Sequence, residues 1–348
     1  MSLKRKCFLC GLDRPLTVTD EDVVPNWIQR RFEINSERFV IANLTTIKNQ
    51  QIKIPACSEC NNIYLGRIES RIASSSALGL DSFKTVRQNT LFVWLAKIFY
   101  GLVYKQAMLT DHTRPHSRTT VFTGAHVNNL QHIHNFLQVA RERAIFKNFF
   151  PASIFLFKTL YADDPKFQFH MVYCLETRLI TIIMKDIGIV ATLDDCGIMK
   201  QLSDSRHKKL SEATLHPYQV MEFAGRTSYA IKHYKPEILF TSKLIGFRKY
   251  ISAYQLVGTS RAAKRKTWSP LDCAYVVSRF TRTPLQDWYR DDGSTFTTLL
   301  DEKGDAIQFR SYDDMKYERL DMRVHRVDVE KSLDSYTAAK LIESSGSD

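Results

Sequence analysis

Cys7-Phe8-Leu9-Cys10-Gly11 and Cys57-Ser58-Glu59-Cys60-Asn61-Asn62 bracket the acidic stretch Asp20-Glu21-Asp22-Val23-Val24-Pro25, and this bracket decides the reading of the N-terminal fold. Two Cys-x-x-Cys pairs supply Cys7, Cys10, Cys57 and Cys60, enough thiolates to close a tetrahedral cage around Zn²⁺ with no position left for water, which is the form of a structural site. Gly11 after the first pair suits a tight knuckle in which backbone N–H groups point at sulfur. The other cysteines, Cys174, Cys196 and Cys273, are scattered and odd in number, which argues against a disulfide framework and for a reducing compartment.

Working outward, Val24 to Phe32 reads as a short helix with Pro25 near its start. Arg38 to Ile47 and Gln51 to Ile54 alternate well enough for two strands joined by the polar turn Lys48-Asn49-Gln50. Cys57 to Ala73 has Ile63, Leu65, Ile68 and Ile72 near helical spacing, and the run Ser74-Ser75-Ser76 reads as a linker. Knuckle, hairpin, then a helix carrying the last two ligands is a treble-clef order, assigned to residues 1–75. Residues 76–150 are expected to be a helical segment of an accessory domain, with long helices over Leu91 to Leu109 and Asn128 to Phe149. Residues 151–335 read as mixed and strand-rich: Ile154–Leu160, Phe167–Cys174, Leu179–Met184 and Ile187–Leu193, a helix from about Tyr218 to Tyr234, and a hairpin of Phe296–Leu300 with Ile307–Phe309. Residues 336–348 form a tail. The expected class is α+β.

The chain of 348 residues is long enough for one large or two ordinary cores, and its net charge of +12 points to a polyanionic partner, nucleic acid before a membrane surface. The basic N-terminus runs directly into Cys7 without an apolar stretch, so a secretory signal is not expected. Leu91 to Leu109, the most hydrophobic helix, is interrupted by Lys97 and Lys105 and is too short and polar to span a bilayer. It reads as a core helix of a cytoplasmic protein.

Cys-x-x-Cys-Gly, then Glu21-Asp22-Val23-Val24-Pro25, then Cys-x-x-Cys-Asn resembles the zinc-knuckle branch of the HNH (ββα-metal) endonucleases. The resemblance is confined to the N-terminal module. It implies hydrolysis of DNA phosphodiester bonds with one Mg²⁺ or Mn²⁺ on the scissile phosphate, while zinc is structural. It implies that Glu21 is a metal ligand, that Glu69 in Gly66-Arg67-Ile68-Glu69 is a candidate second ligand, and that Asn61 holds the hairpin loop through its amide. DNA is the implied partner before RNA, a homodimer would ease cutting of both strands, and the setting implied is bacterial or phage defence or a mobile element.

The chain departs from the family at Asp22, where the family has a histidine general base. A free Asp titrates near ~3.9 against ~6.5 for His, so it is the weaker base. Three readings stay open: Asp22 is a carboxylate base, it is an extra metal ligand, or the centre is silent and the zinc fold serves as a nucleic-acid-binding or assembly module. Without the flanking cysteines, Asp20-Glu21-Asp22 would read as a solvated turn before the helix at Pro25; for Glu69 a solvent-facing helix residue is the alternative to a ligand. Arg261, Lys264, Arg265 and Lys266, ending at Trp268, form the densest basic run and are candidate phosphate contacts with Trp268 stacking on a base; the alternative is a solvated loop. His132 and His134 lie two apart on a helix and do not share a face.

Overall fold

The computed structural model describes residues 6–12, 18–113, 119–234, 237–255 and 267–314, and in it the acidic stretch is a strand. β1 (Val18–Asp22) is followed by α1 (Asn26–Arg31), β2 (Arg38–Val40), β3 (Thr46–Lys48) and β4 (Lys53–Cys57). β1 pairs antiparallel with β4, placing Val18 opposite Cys57 and Glu21 opposite Ile54. The expected pairing of Arg38–Ile47 with Gln51–Ile54 does not form. The first run folds back on itself as β2 against β3, because Asn43 Oδ1 accepts from the Thr45 backbone N–H (3.2 Å) and hydroxyl (2.7 Å) and turns the chain there. The second run continues to Cys57 and takes β1 as its partner.

A π-helical turn over Glu59–Leu65 leads into α2 (Gly66–Ala77). The serine run expected as a linker lies inside α2. Its hydroxyls satisfy the helix they sit on, Ser76 Oγ donating to Ala73 O (2.9 Å). Arg31 then ties α1 to α2, donating to Ser76 Oγ at 3.2 Å and to Ser76 O at 3.3 Å. After α3 (Leu80–Lys84) comes α4 (Gln88–Gln106), in which every residue from Leu91 to Tyr104 is buried. A helix apolar on all sides is a core helix, and α4 approaches the β1–β4 ribbon at Gly101, where an added Cβ would lie 3.0 Å from Val23 and 3.2 Å from Ile54.

The helix expected over Asn128 to Phe149 is instead α5 (Gly124–Asn128), α6 (Gln131–Leu137), a 3₁₀ turn over Gln138–Arg141 and β5 (Ala144–Phe146). Leu130 (φ −103°, ψ 16°) separates the two helices, and Glu142 in the left-handed region (φ 55°) turns the chain into β5. The strand brings Phe146 against Phe92 (ring centroids 5.7 Å) and Phe136 (5.5 Å), edge to face; this packing outweighs the local helical pattern.

The chain divides into two compact units, Met1–Ala152 with Ile238–Gln255, and Ser153–Glu237 with Leu256–Asp348. The second unit carries β6 (Ser153–Thr159), β7 (Phe169–Cys174), β8 (Leu179–Met184), β9 (Ile187–Thr192), α7 (Ile198–Leu202), α8 (Asp204–Ser211), β10 (Thr214–Leu215), α9 (Pro217–Tyr234) and α10 (Pro270–Thr281). Its sheet runs β10-β6-β9-β8-β7, antiparallel except for β10 on β6. Every residue of β8 and β9 is buried, so both faces are covered, and Phe155, Phe157, Leu179, Val190 and Phe223 belong to one core. The hairpin expected around Asp301–Asp305 is reduced to an isolated Leu300–Ala306 bridge. Gln219 of α9 donates to Thr298 O (2.5 Å) and Ile307 O (3.0 Å), taking up carbonyls that a ladder would have used.

β11 (Ile238–Ile245) and β12 (Arg248–Gln255) form an antiparallel hairpin belonging to the first unit, with β12 laid parallel to β5. The architecture is thus mixed α and β with a four-cysteine cluster near the N-terminus. Among the described residues no helix is long and apolar enough to cross a membrane.

Candidate metal centre and acidic cluster

The β1–β4 register sets the end of β4 beside the N-terminal knuckle. Phe8 N–H donates to Pro55 O (2.9 Å), and Gly11, at φ 72°, closes the knuckle through its N–H to Cys7 O (2.9 Å). The sulfurs of Cys7, Cys10, Cys57 and Cys60 then lie within 4.8 Å of one another, with Cys10 Sγ 3.9 Å from Cys57 Sγ. Sulfurs at ~2.3 Å from one ion in tetrahedral array are ~3.8 Å apart, so the cluster fits a metal ion such as zinc. All but Cys10 are buried, and Cys10 N–H points at Cys7 Sγ from 3.5 Å. A hydrogen bond from the Cys60 thiol, aided by backbone N–H groups, holds the Cys7 thiol well below the ordinary range. A bound cation would supply the same help to all four.

The knuckle is gripped from α6 and the turn after it. Leu9 O accepts from Gln138 Nε2 (2.7 Å) and lies 3.0 Å from His134 Nε2. Burial depresses the His134 pKa and keeps the ring a neutral donor. His132 is elsewhere occupied, its ring stacked on Phe240 at 5.4 Å.

Glu21 on β1 and Glu69 on α2, both named from sequence, converge on a third residue that was not, Lys97 of α4. Lys97 Nζ forms ion pairs with Glu21 Oε1 and Glu69 Oε1, the latter at 2.8 Å, and donates to Asp22 O at 2.6 Å. Lys97 is 1% exposed and Glu21 5% exposed. Burial alone would lower the lysine pKa, but the two carboxylates outweigh it and hold the ammonium protonated. Burial raises the Glu21 pKa against the pull of Lys97, and raises that of Asp22 against Lys53 and Lys97. The Asp22 side chain is 21% exposed and lies 3.8 Å from Lys53 Nζ. Asn61 Nδ2 donates to Thr19 Oγ1 (2.9 Å), which in turn donates to Ala56 O (3.1 Å), so Asn61 fastens the π-helical turn to the ribbon that carries Glu21.

Two carboxylates, Glu21 and Glu69, meet at Lys97, whose single charge balances one of them, while the Asp22 carboxylate pairs with Lys53; among the described residues the four cysteines are the only group of three or more ligand-type side chains close enough to share an ion. Lys97 already holds the Oε1 atoms of Glu21 and Glu69. The signal for Lys97 in the sequence was a lone cation within an apolar run, four residues before Gly101 and so on the same helix face. Arg261, Lys264, Arg265 and Lys266 lie outside the described residues; Trp268 is 43% exposed, its ring 4.6 Å from that of Tyr229.

Comparison with protein-family models, with curated proteins and with solved structures returned no match.

Proposed function

We propose that the chain is a metal-dependent endonuclease of HNH type that hydrolyses DNA phosphodiester bonds, built on a treble-clef ββα module with structural zinc at Cys7, Cys10, Cys57 and Cys60. The observation that carries this reading is the convergence of Glu21 and Glu69 beside Asp22, on a ribbon and a helix joined through the cysteine cluster. Glu21, Glu69 and the carboxylate of Asp22 would hold Mg²⁺ or Mn²⁺, which supplies Lewis-acid stabilisation of charge on the scissile phosphate. Lys97 fixes the rotamers of the two glutamates and compensates one of their charges. Asp22 touches Lys97 only through its backbone oxygen; its carboxylate lies 3.8 Å from Lys53 Nζ and would exchange that pair for the metal. Asn61 keeps β1 in register with the turn before α2. A homodimer would allow both strands of a duplex to be cut.

A second reading has its own support. The Lys97 ammonium is fully enclosed and takes up both glutamates, which suits a centre in which lysine has replaced the metal and the module only binds nucleic acid. Nicking of supercoiled plasmid with Mg²⁺ or Mn²⁺ against EDTA separates the two. Metal-dependent nicking lost in Glu21→Ala supports the endonuclease; salt-dependent binding with no nicking by the wild type or by Asp22→His supports the silent module.

A further inference from the structure

The β11–β12 hairpin presents three large apolar side chains to solvent at its tip: Leu244 (65% exposed), Ile245 (54%) and Phe247 (64%). A soluble surface rarely concentrates such groups without a partner. Gly246, at φ 60°, makes the turn that holds them together. The tip is ringed by cations. The guanidinium carbons of Arg143 and Arg248 lie 5.3 and 5.2 Å from the Phe247 ring centroid, and Lys243 is exposed on β11. From Ile238 to Gln255 the sequence holds Lys243, Arg248 and Lys249 and not one carboxylate. Lys249 is occupied by Asn135 Oδ1 at 3.3 Å, which leaves the exposed Arg143 and Lys243 and the half-buried Arg248 as the remaining charges. One carboxylate, Glu142, stands beside Arg143 at the foot of the hairpin.

We infer that the β11–β12 hairpin is a duplex-DNA docking element whose tip enters a groove while Arg143, Lys243 and Arg248 contact phosphates on either side. The charge is of the right sign and lacks internal acidic competitors. The major groove, ~12 Å wide, admits a two-stranded ribbon, and apolar side chains there contact the methyl groups of thymine. Arginine binds phosphate in bidentate fashion and stacks on aromatic rings with its other face. The hairpin belongs to the same compact unit as the cysteine cluster and the acidic centre. The inference rests on the nucleic-acid reading of that centre but not on its catalytic competence.

The test is fluorescence anisotropy of a labelled DNA duplex with zinc-loaded protein and no added Mg²⁺ or Mn²⁺, at salt between about 50 and 200 mM. The wild type is compared with Arg143→Ala/Lys243→Ala/Arg248→Ala, with Lys243→Glu alone, and with Leu244→Ser/Ile245→Ser/Phe247→Ser. Each phosphate contact contributes roughly 0.9 to the slope of log K against log salt, so the triple charge variant loses about 2 to 3 in slope and more than tenfold in affinity at the lower salt. Lys243→Glu, at an exposed position tolerant of substitution, loses about 1 in slope. The tip variant weakens binding with the slope unchanged. Wild-type affinity and slope in all three variants would overturn the assignment even if the protein still cuts DNA elsewhere on its surface. Tip-dependent binding to phosphatidylserine vesicles in preference to duplex, or tip-dependent dimerisation, would also overturn it. Hairpin-dependent binding without metal-dependent cleavage would uphold the docking element and remove the endonuclease.

Discussion

Lys97 Nζ lies 2.8 Å from Glu69 Oε1, and this contact, with the matching one to Glu21, makes α4 a structural member of the acidic centre. Helix α4 follows the cysteine segment in sequence, yet its buried ammonium is the only cation in contact with both glutamates among the described residues. A buried charge that loses its partner costs ~3–5 kcal/mol. Lys97→Met is therefore expected to destabilise the protein by about that amount in urea titration, although Met fills nearly the same volume. Adding Glu21→Gln and Glu69→Gln should recover a large part of the loss, which a purely steric defect would not allow.

A metal held by the cysteine cluster would fasten the knuckle to β4, and its removal should release it. Ligand sites of this kind do not preexist in the unfolded chain, so binding energy is folding energy. Chelation of zinc, or Cys57→Ser, is expected to lower the melting temperature and to expose Cys7 and Cys60 to thiol reagents, with protection restored by added Zn²⁺ in the wild type only. Equal thiol reactivity with and without chelator would contradict the assignment.

In the second unit, His216 is a neutral core histidine. Its ring accepts from the Tyr218 N–H (3.2 Å) at Nδ1 and lies 3.0 Å from Tyr312 O at Nε2, so a second proton would face an N–H. Burial lowers its pKa to about 4, against opposing pulls from the Tyr312 carbonyl and Asp314. The unfolded chain, with an ordinary value near ~6.5, then binds more protons between these limits. Stability from this group is complete above pH ~6.5 and is lost as pH falls toward about 4, by on the order of 3 kcal/mol. His216→Gln should flatten that part of the acid-stability curve.

Gly225 on α9 faces α10 so closely that an added Cβ would lie 2.9 Å from the Val277 Cα. Backbone cannot rotate aside as a side chain can. Overpacking costs ~1–3 kcal/mol, and the gain in helix propensity from Gly to Ala offsets up to ~1. Gly225→Ala is expected to lower the urea midpoint with an unchanged slope; a raised midpoint would show that the helices separate freely.

What could be read in the sequence was whatever local chemistry dictates. The spacing of the cysteine pairs marked the four residues that cluster, and the β-branched runs at Leu179–Met184 and Ile187–Thr192 are the buried strands β8 and β9. The acidic stretch was read for its charge, and its strand character was missed because Asp and Glu are poor strand formers; pairing with β4 overrides that preference. Asn128 to Phe149 failed as one helix because its phenylalanines are satisfied by partners such as Phe92, distant in sequence. Lys97 looked like an interruption of an apolar helix, since nothing local reveals that two carboxylates await it. The β11–β12 hairpin escaped notice because its exposed tip carries no alternation for a period-two pattern to catch.

We propose that Glu21, Asp22 and Glu69 hold a divalent cation next to Lys97. The most direct measurement is electron paramagnetic resonance of Mn²⁺ titrated into zinc-loaded protein, with zinc content determined separately, for the wild type and Asp22→Asn/Glu69→Gln. Loss of the free Mn²⁺ signal to one site per chain in the wild type, abolished in the double variant while zinc is retained, is the predicted result. No bound Mn²⁺, or binding unchanged in the variant, would contradict the claim and leave Lys97 as the sole cation of the centre.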